Sequence, residues 1–160
     1  GGTYGGLDGN SKGNVDLFVV KYNSSETASE WRMRLGSGNW QLVLSDESET
    51  NNPIIQTTID AKAAVNVWEF VVFTYNGSAN ATGINAYVNG VLVASTDIDQ
   101  AGFVLSEDLG SVMGLASYQN GSFYSGKIAA GPLGPFFTQT ELSADAVYAL
   151  YQLGREALGL

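Results

Sequence analysis

A chain of 160 residues with neither cysteine nor histidine is long enough for one domain to bury about two thirds of its unfolded surface without disulfide or metal staples. It also lacks the usual ligands of zinc, copper and haem and the commonest general base. Seven Lys and Arg residues against sixteen Asp and Glu leave a net charge of −9, which repels phosphate backbones and anionic lipid surfaces, so nucleic acid is not an expected partner.

Twenty glycines, with many Ser, Thr and Asn among aromatic and β-branched residues, suggest an all-β protein at work outside a cell or on a particle surface. No run of about 18 apolar residues suggests membrane insertion. "GGTYGGLDGNSKGN", residues 1–14, holds six glycines and reads as a flexible linker or arm, with the domain expected over residues 15–160. "VDLFVVKY", "EWRMRLG" and "NWQLVLS" are strands by their aromatic and β-branched content. In the last two, Trp31, Met33 and Leu35, then Trp40, Leu42 and Leu44, alternate with Arg32, Arg34, Gln41 and Ser45. That is a half-buried hairpin closed by "GSGN".

"DESETNNP" follows as a polar loop in which Asp46, Glu47 and Glu49 are expected to be solvated, and "IIQTTI" is a strand opened by Pro53. "NVWEFVVFTY" is apolar on both faces and is expected at the centre of a sheet covered on both sides. "GINAYVNGVLVAS" is a tight hairpin, because Asn89 and Gly90 suit the two positive-φ positions of a type I′ turn. "SVMGLAS" and "SFYSGKIAA" add two strands. Only "LSADAVYALYQLGREAL" changes period: Val147, Leu150 and Tyr151 share one helical face, Ser143 suits the N-cap, Asp145 favours the first turn, and Leu142 and Val147 form a hydrophobic staple. The helix is expected over residues 143–157. About eight strands followed by one terminal helix predict an antiparallel two-sheet β-sandwich or jelly roll.

"VWEFVVFTYNG", "INAYVNGVLVAS", "FYSGKIAA" and "LSADAVYALYQLG" resemble, in order and spacing, the laminin-G-like jelly rolls of the concanavalin A-like lectin/glucanase superfamily. In that pattern a Trp-led strand precedes a Tyr-Val-Asp/Asn-Gly hairpin, and a Phe-x-Gly-x-Ile strand and a Leu-Ser-led helix close the domain. The chain departs from it at Glu69, where His is frequent, and at Ala129 and Ala130, where an acidic pair is frequent. The resemblance implies a concanavalin A-like sandwich, a binding role and, in many such domains, a calcium ion.

A glycosidase of this superfamily needs paired carboxylates, as in its Glu-x-Asp-x-x-Glu strand, and no such run occurs here. The expectation is therefore no enzyme. Calcium takes carboxylate and carbonyl oxygens in rim loops, and Asp97, Asp99 and Asp108 are the candidate ligands. A saccharide presents an apolar face and a ring of hydroxyls, which aromatic, amide and hydroxyl side chains match; "SYQNGSFYSG" offers Tyr118, Gln119, Asn120 and Tyr124. The sequons at Asn23, Asn76, Asn80 and Asn120 are glycosylation candidates and also ordinary turn chemistry, so all four are expected to face solvent. The reading is a non-catalytic binding or adhesion module of a larger extracellular protein, recognising a glycan or protein partner at a cell or particle surface. Its alternatives are a structural, decoration or fibre domain of a phage particle and, last, a glycoside hydrolase.

Overall fold

The structure, a computed structural model, describes residues 15–22, 29–49, 51–106, 110–118, 122–123, 127–129 and 134–160. Its elements in chain order are β1 Val15–Tyr22, β2 Ser29–Gly36, β3 Asn39–Ser45, β4 Ile54–Ile59, β5 Val71–Tyr75, β6 Ile84–Val88, β7 Val91–Leu92, β8 Ser95–Asp99, β9 Val112–Leu115, β10 Ser117–Tyr118, β11 Ser122–Phe123 and α1 Ala144–Leu158. One antiparallel sheet has the order β8-β4-β3-β2-β1-β9, a second has β5-β6-β7, and β10 and β11 form a ribbon. The architecture is a β-sandwich with one short C-terminal helix, as expected.

The hairpin of β2 and β3 pairs Trp31 with Leu44, Met33 with Leu42 and Leu35 with Trp40, so the apolar half of the alternation lies on one face. Ser37 and Gly38 close it at φ 52° and 81°. The inward residues pack on the second sheet in two clusters, one around Leu44, Ile55, Ala81, Ile84 and Phe103, the other around Leu35, Trp40, Ile59 and Ala86. A third cluster, Val72, Tyr87 and Val147, lies between the second sheet and α1.

β5 departs from expectation in place and length. It begins at Val71, not near Asn66, and among the described residues it pairs with β6 alone, so β6 holds the centre of its sheet. Asn66 takes a left-handed φ of 64°, and the Phe70 N–H goes to the Asn89 side chain at 3.0 Å rather than into a ladder. Both faces of β5 are nonetheless covered: Val71, Phe73 and Tyr75 face the large sheet, and Val72 meets Val147 of α1.

The Asn89-Gly90 turn has φ 53° and 78°, as a type I′ turn requires. Beyond β7 the strand turns at Val93 and Ala94, where Val93 N–H donates to Ala86 O at 3.0 Å and Asp60 N–H to Ala94 O at 3.1 Å. β8 then joins β4 of the other sheet, with Ser95 opposite Ile59. One continuous segment thus ties both sheets.

The loop after β3 overturns a second expectation. Asp46 is 1% exposed and accepts hydrogen bonds from Val104 N–H (3.0 Å), Leu105 N–H (3.2 Å) and Ser48 Oγ (3.0 Å). It is a buried anchor for the segment after β8, because a carboxylate can satisfy several donors at once. α1 matches its expected limits to within a residue: Ser143 Oγ accepts from Ala146 N–H at 3.2 Å, and Gly159 ends it at φ 69°.

Candidate functional site

The outer face of the six-stranded sheet carries the polar half of the same alternation that buries the tryptophans. Register places Arg34, Gln41, Thr58 and Thr96 in one row across β2, β3, β4 and β8, and Arg32, Val43, Gln56 and Ile98 in the next. At ~4.8 Å between strands and ~7 Å between like-facing residues, the array spans roughly 14 by 7 Å. Arg34 organises it: Nε donates to Gln41 Oε1 at 2.8 Å and Nη2 to Gln56 Oε1 at 3.3 Å. Gln56 Nε2 in turn donates to Thr58 Oγ1 at 3.0 Å, and Thr96 Oγ1 to Asp60 Oδ1 at 2.8 Å at the sheet edge. The Arg34–Gln56 bond crosses β3, where Val43 is 0% exposed although it faces outward.

The local sequence explains the arrangement. Gly36 lies on the same face as Arg34, and a Cβ there would collide with the Gln41 amide, 2.7 Å from Cδ and 2.9 Å from Nε2. Glycine leaves room for Gln41 to lie flat and reach Arg34. The Arg34 guanidinium is held below its ordinary pKa by burial first and by the charge of Arg32 second, although it stays protonated at any physiological pH. Sequence reading treats Arg32, Arg34 and Gln41 only as the solvent half of a hairpin. The signal that marks them is two arginines at i and i+2 in a chain with seven cations.

Asp97 and Asp99 lie on the inward face of β8, opposite Thr57 and Ile55. The Thr57 hydroxyl donates to Asp97 Oδ1 at 2.7 Å, and Asp99 Oδ1 accepts the Ala81 N–H at 2.5 Å. Both carboxylates therefore bind the 3-10 turn Ala81–Gly83, or the strand beneath it, to the edge of the sandwich. Among the described residues no group of three acidic side chains could hold a metal ion. Asp108 lies outside the described residues, as do Gln119, Asn120, Tyr124 and Asn23; Tyr118 has its backbone in β10, its side chain being outside the description.

Asn76 and Asn80 are exposed, as expected of both. Asn76 Oδ1 accepts from Ser78 N–H at 3.0 Å, and Asn80 Oδ1 from Thr82 N–H at 2.9 Å and Thr82 Oγ1 at 2.6 Å. Each sequon thus closes its own Asx-turn.

Between the layers, Trp31, Met33, Leu42, Phe73, Phe137 and Leu158 line a cleft of about 550 Å³. Phe137 packs on Trp31 with centroids 5.2 Å apart, and Phe70 on Tyr151 at 6.1 Å. Glu69, the departure from the family pattern, lines this cleft and accepts from Trp40 Nε1 at 3.1 Å. Glu141 accepts from Thr74 Oγ1 at 3.3 Å and Asn85 Nδ2 at 3.4 Å. Glu69 and Glu141 are thus engaged by the fold; the rest of the lining is mainly aromatic and aliphatic, with Lys127, Gln139 and Arg155 among it.

Comparison with curated proteins gives no match. Residues 8–130 match a laminin G family model described as the concanavalin A-like lectin/glucanases superfamily. The match starts inside the 1–14 stretch that reads as an arm and runs through the sheets to the edge of the C-terminal region. It covers well over half of the chain, and together with the antiparallel two-sheet sandwich it shows that the chain belongs to the laminin G-like family of the concanavalin A-like lectin/glucanase superfamily.

Proposed function

We propose that this domain is a non-catalytic binding module, displayed at a cell or particle surface, that receives saccharide on the outer face of its six-stranded sheet. The observation that carries the reading is the chain of hydrogen bonds from Gln41 through Arg34 and Gln56 to Thr58. Gln56, itself only 7% exposed, braces Arg34 and Thr58 on a rigid sheet, so that a ligand's hydroxyls meet groups already ordered. The two rows through Arg32 and Arg34 contain no carboxylate, whereas glycoside hydrolysis needs two, roughly 5 to 9 Å apart. Binding without turnover is the chemistry this face supports.

The test is a glycan array followed by calorimetry on any hit, with Gln56→Ala compared with the parent. Removing one ordered hydrogen-bonding group is expected to weaken binding about 3- to 10-fold. An array with no saccharide hit ends the reading. Tyr118, Gln119, Asn120 and Tyr124 enter the same proposal as a second contact region, tested by Tyr118→Ala with Asn120→Ala. Calcium at Asp97, Asp99 and Asp108 would be a rim ion; equal thermal midpoints in millimolar calcium and in EDTA would remove it.

A further inference from the structure

Resting on that reading, we infer that the saccharide is acidic, with the carboxylate of a uronic acid seated on Arg34. A guanidinium has five N–H donors in a planar fork; Arg34 commits two of them, to Gln41 and Gln56. Those two bonds fix the plane of the fork and leave three N–H groups for a ligand. Among the described residues no carboxylate lies within ion-pair distance of Arg34. Burial disfavours its charged form, and so, to a smaller extent, does the like-signed charge of Arg32.

Stability alone does not account for this placement. The chain carries 16 acidic side chains, yet the residue opposite Arg34 on β3 is the amide Gln41, the row continues through the hydroxyls of Thr58 and Thr96, and the Asp60 carboxylate stands only at its far end, on Thr96. A half-buried guanidinium with an amide opposite it and three N–H groups uncommitted is suited to receive an anion from outside. The fork favours a planar carboxylate over a tetrahedral sulfate ester, because two parallel N–H···O bonds match its geometry. The two described rows also lack an aromatic platform of the kind that stacks on neutral sugars, so charge and amide contacts must supply recognition there.

Binding of oligogalacturonate, of a neutral galactan oligosaccharide of equal length and of dextran sulfate is measured in EDTA, which excludes calcium bridging. The expected order places oligogalacturonate first. Arg34→Gln lowers its affinity about 10- to 100-fold, the range of one charge-assisted pair, and leaves the neutral ligand within about threefold. Arg34→Lys keeps the charge and still loses most of the effect. Gly36→Ala, which displaces the Gln41 side chain at no cost in charge, lowers oligogalacturonate affinity several-fold while the thermal midpoint barely moves. This last variant separates a positioned fork from a variant that simply folds badly.

Equal affinity for the acidic and neutral oligosaccharides overturns the inference and leaves the saccharide-binding reading standing. Tighter binding of dextran sulfate overturns the carboxylate assignment. Failure of all three ligands, with an array that is also empty, removes the saccharide reading itself.

Discussion

Asp46 shows how one side chain can reverse a compositional expectation. It stands in "SDESET", the most acidic stretch of the chain, yet it is the one acid there that is sealed from solvent. Burial pushes its carboxyl pKa up, but the Val104 and Leu105 N–H groups and the Ser48 hydroxyl and backbone outweigh that, and the net value is lowered. A carboxyl whose folded pKa lies below its unfolded value of ~3.9 stabilises the fold above that pH and loses its contribution as pH falls through the folded value. Asp46→Ala is therefore expected to cost about 2 to 3 kcal/mol at pH 7 in urea unfolding, and the gap between parent and variant should narrow below about pH 4. A gap unchanged at pH 3 would mean that the ionised carboxylate is not the source.

At the scale of elements, the Asn89-Gly90 turn joins three parts of the fold. Asn89 N–H donates to Phe70 O at 2.8 Å and its side chain accepts the Phe70 N–H, which extends the register of β5 and β6 by one pair. α1 comes down on the turn: a Cβ at Gly90 would lie 3.0 Å from Tyr148 Cδ2 and 3.0 Å from Tyr151 Cδ1. Gly77 has the same φ of 78° but open space around it. Gly77→Ala is thus expected to cost about 1 kcal/mol for left-handed strain alone, and Gly90→Ala about 2 to 3 kcal/mol, the difference being the approach of the helix. Equal costs in chemical denaturation would detach α1 from the turn. Ser143→Ala should cost about 1 kcal/mol through the lost N-cap bond, read from the same unfolding curves.

At the edge of the large sheet, β8 presents inward-facing Asp97 and Asp99. Such charges on an edge strand hinder pairing with another chain, and here they also hold the 3-10 turn. Thr57→Val keeps the shape and removes the hydroxyl partner of Asp97. It should lower stability by about 1 kcal/mol, measured as the shift of the urea midpoint.

Across the whole molecule, the lack of histidine and cysteine means that no side chain with an ordinary pKa titrates between about pH 5 and 8. Thermal midpoints should accordingly be flat across pH 6 to 8 and fall below pH 4, where carboxylates such as Asp46 protonate. A midpoint that shifts by several degrees between pH 6 and 8 would point to a strongly displaced group.

Much of this molecule is readable from local sequence. Period-two alternation in "EWRMRLGSGNWQLVLS", the Asn-Gly turn and the Ser143 cap are short-range rules, and each acts within one hairpin or one helical turn. They determine the sandwich, the buried tryptophans and α1. The placement of β5 beside β6 alone, the burial of Asp46 under residues 58 and 59 positions later in the chain, and the turning of Asp97 and Asp99 toward the fold depend on which segments meet. The arginine face has the same origin. The sequence by itself determined that Arg32, Arg34 and Gln41 point away from the core; only the tertiary structure, by bringing Gln56 of β4 two strands across and leaving Gly36 bare beside Gln41, decided that they form an ordered array around one half-buried charge.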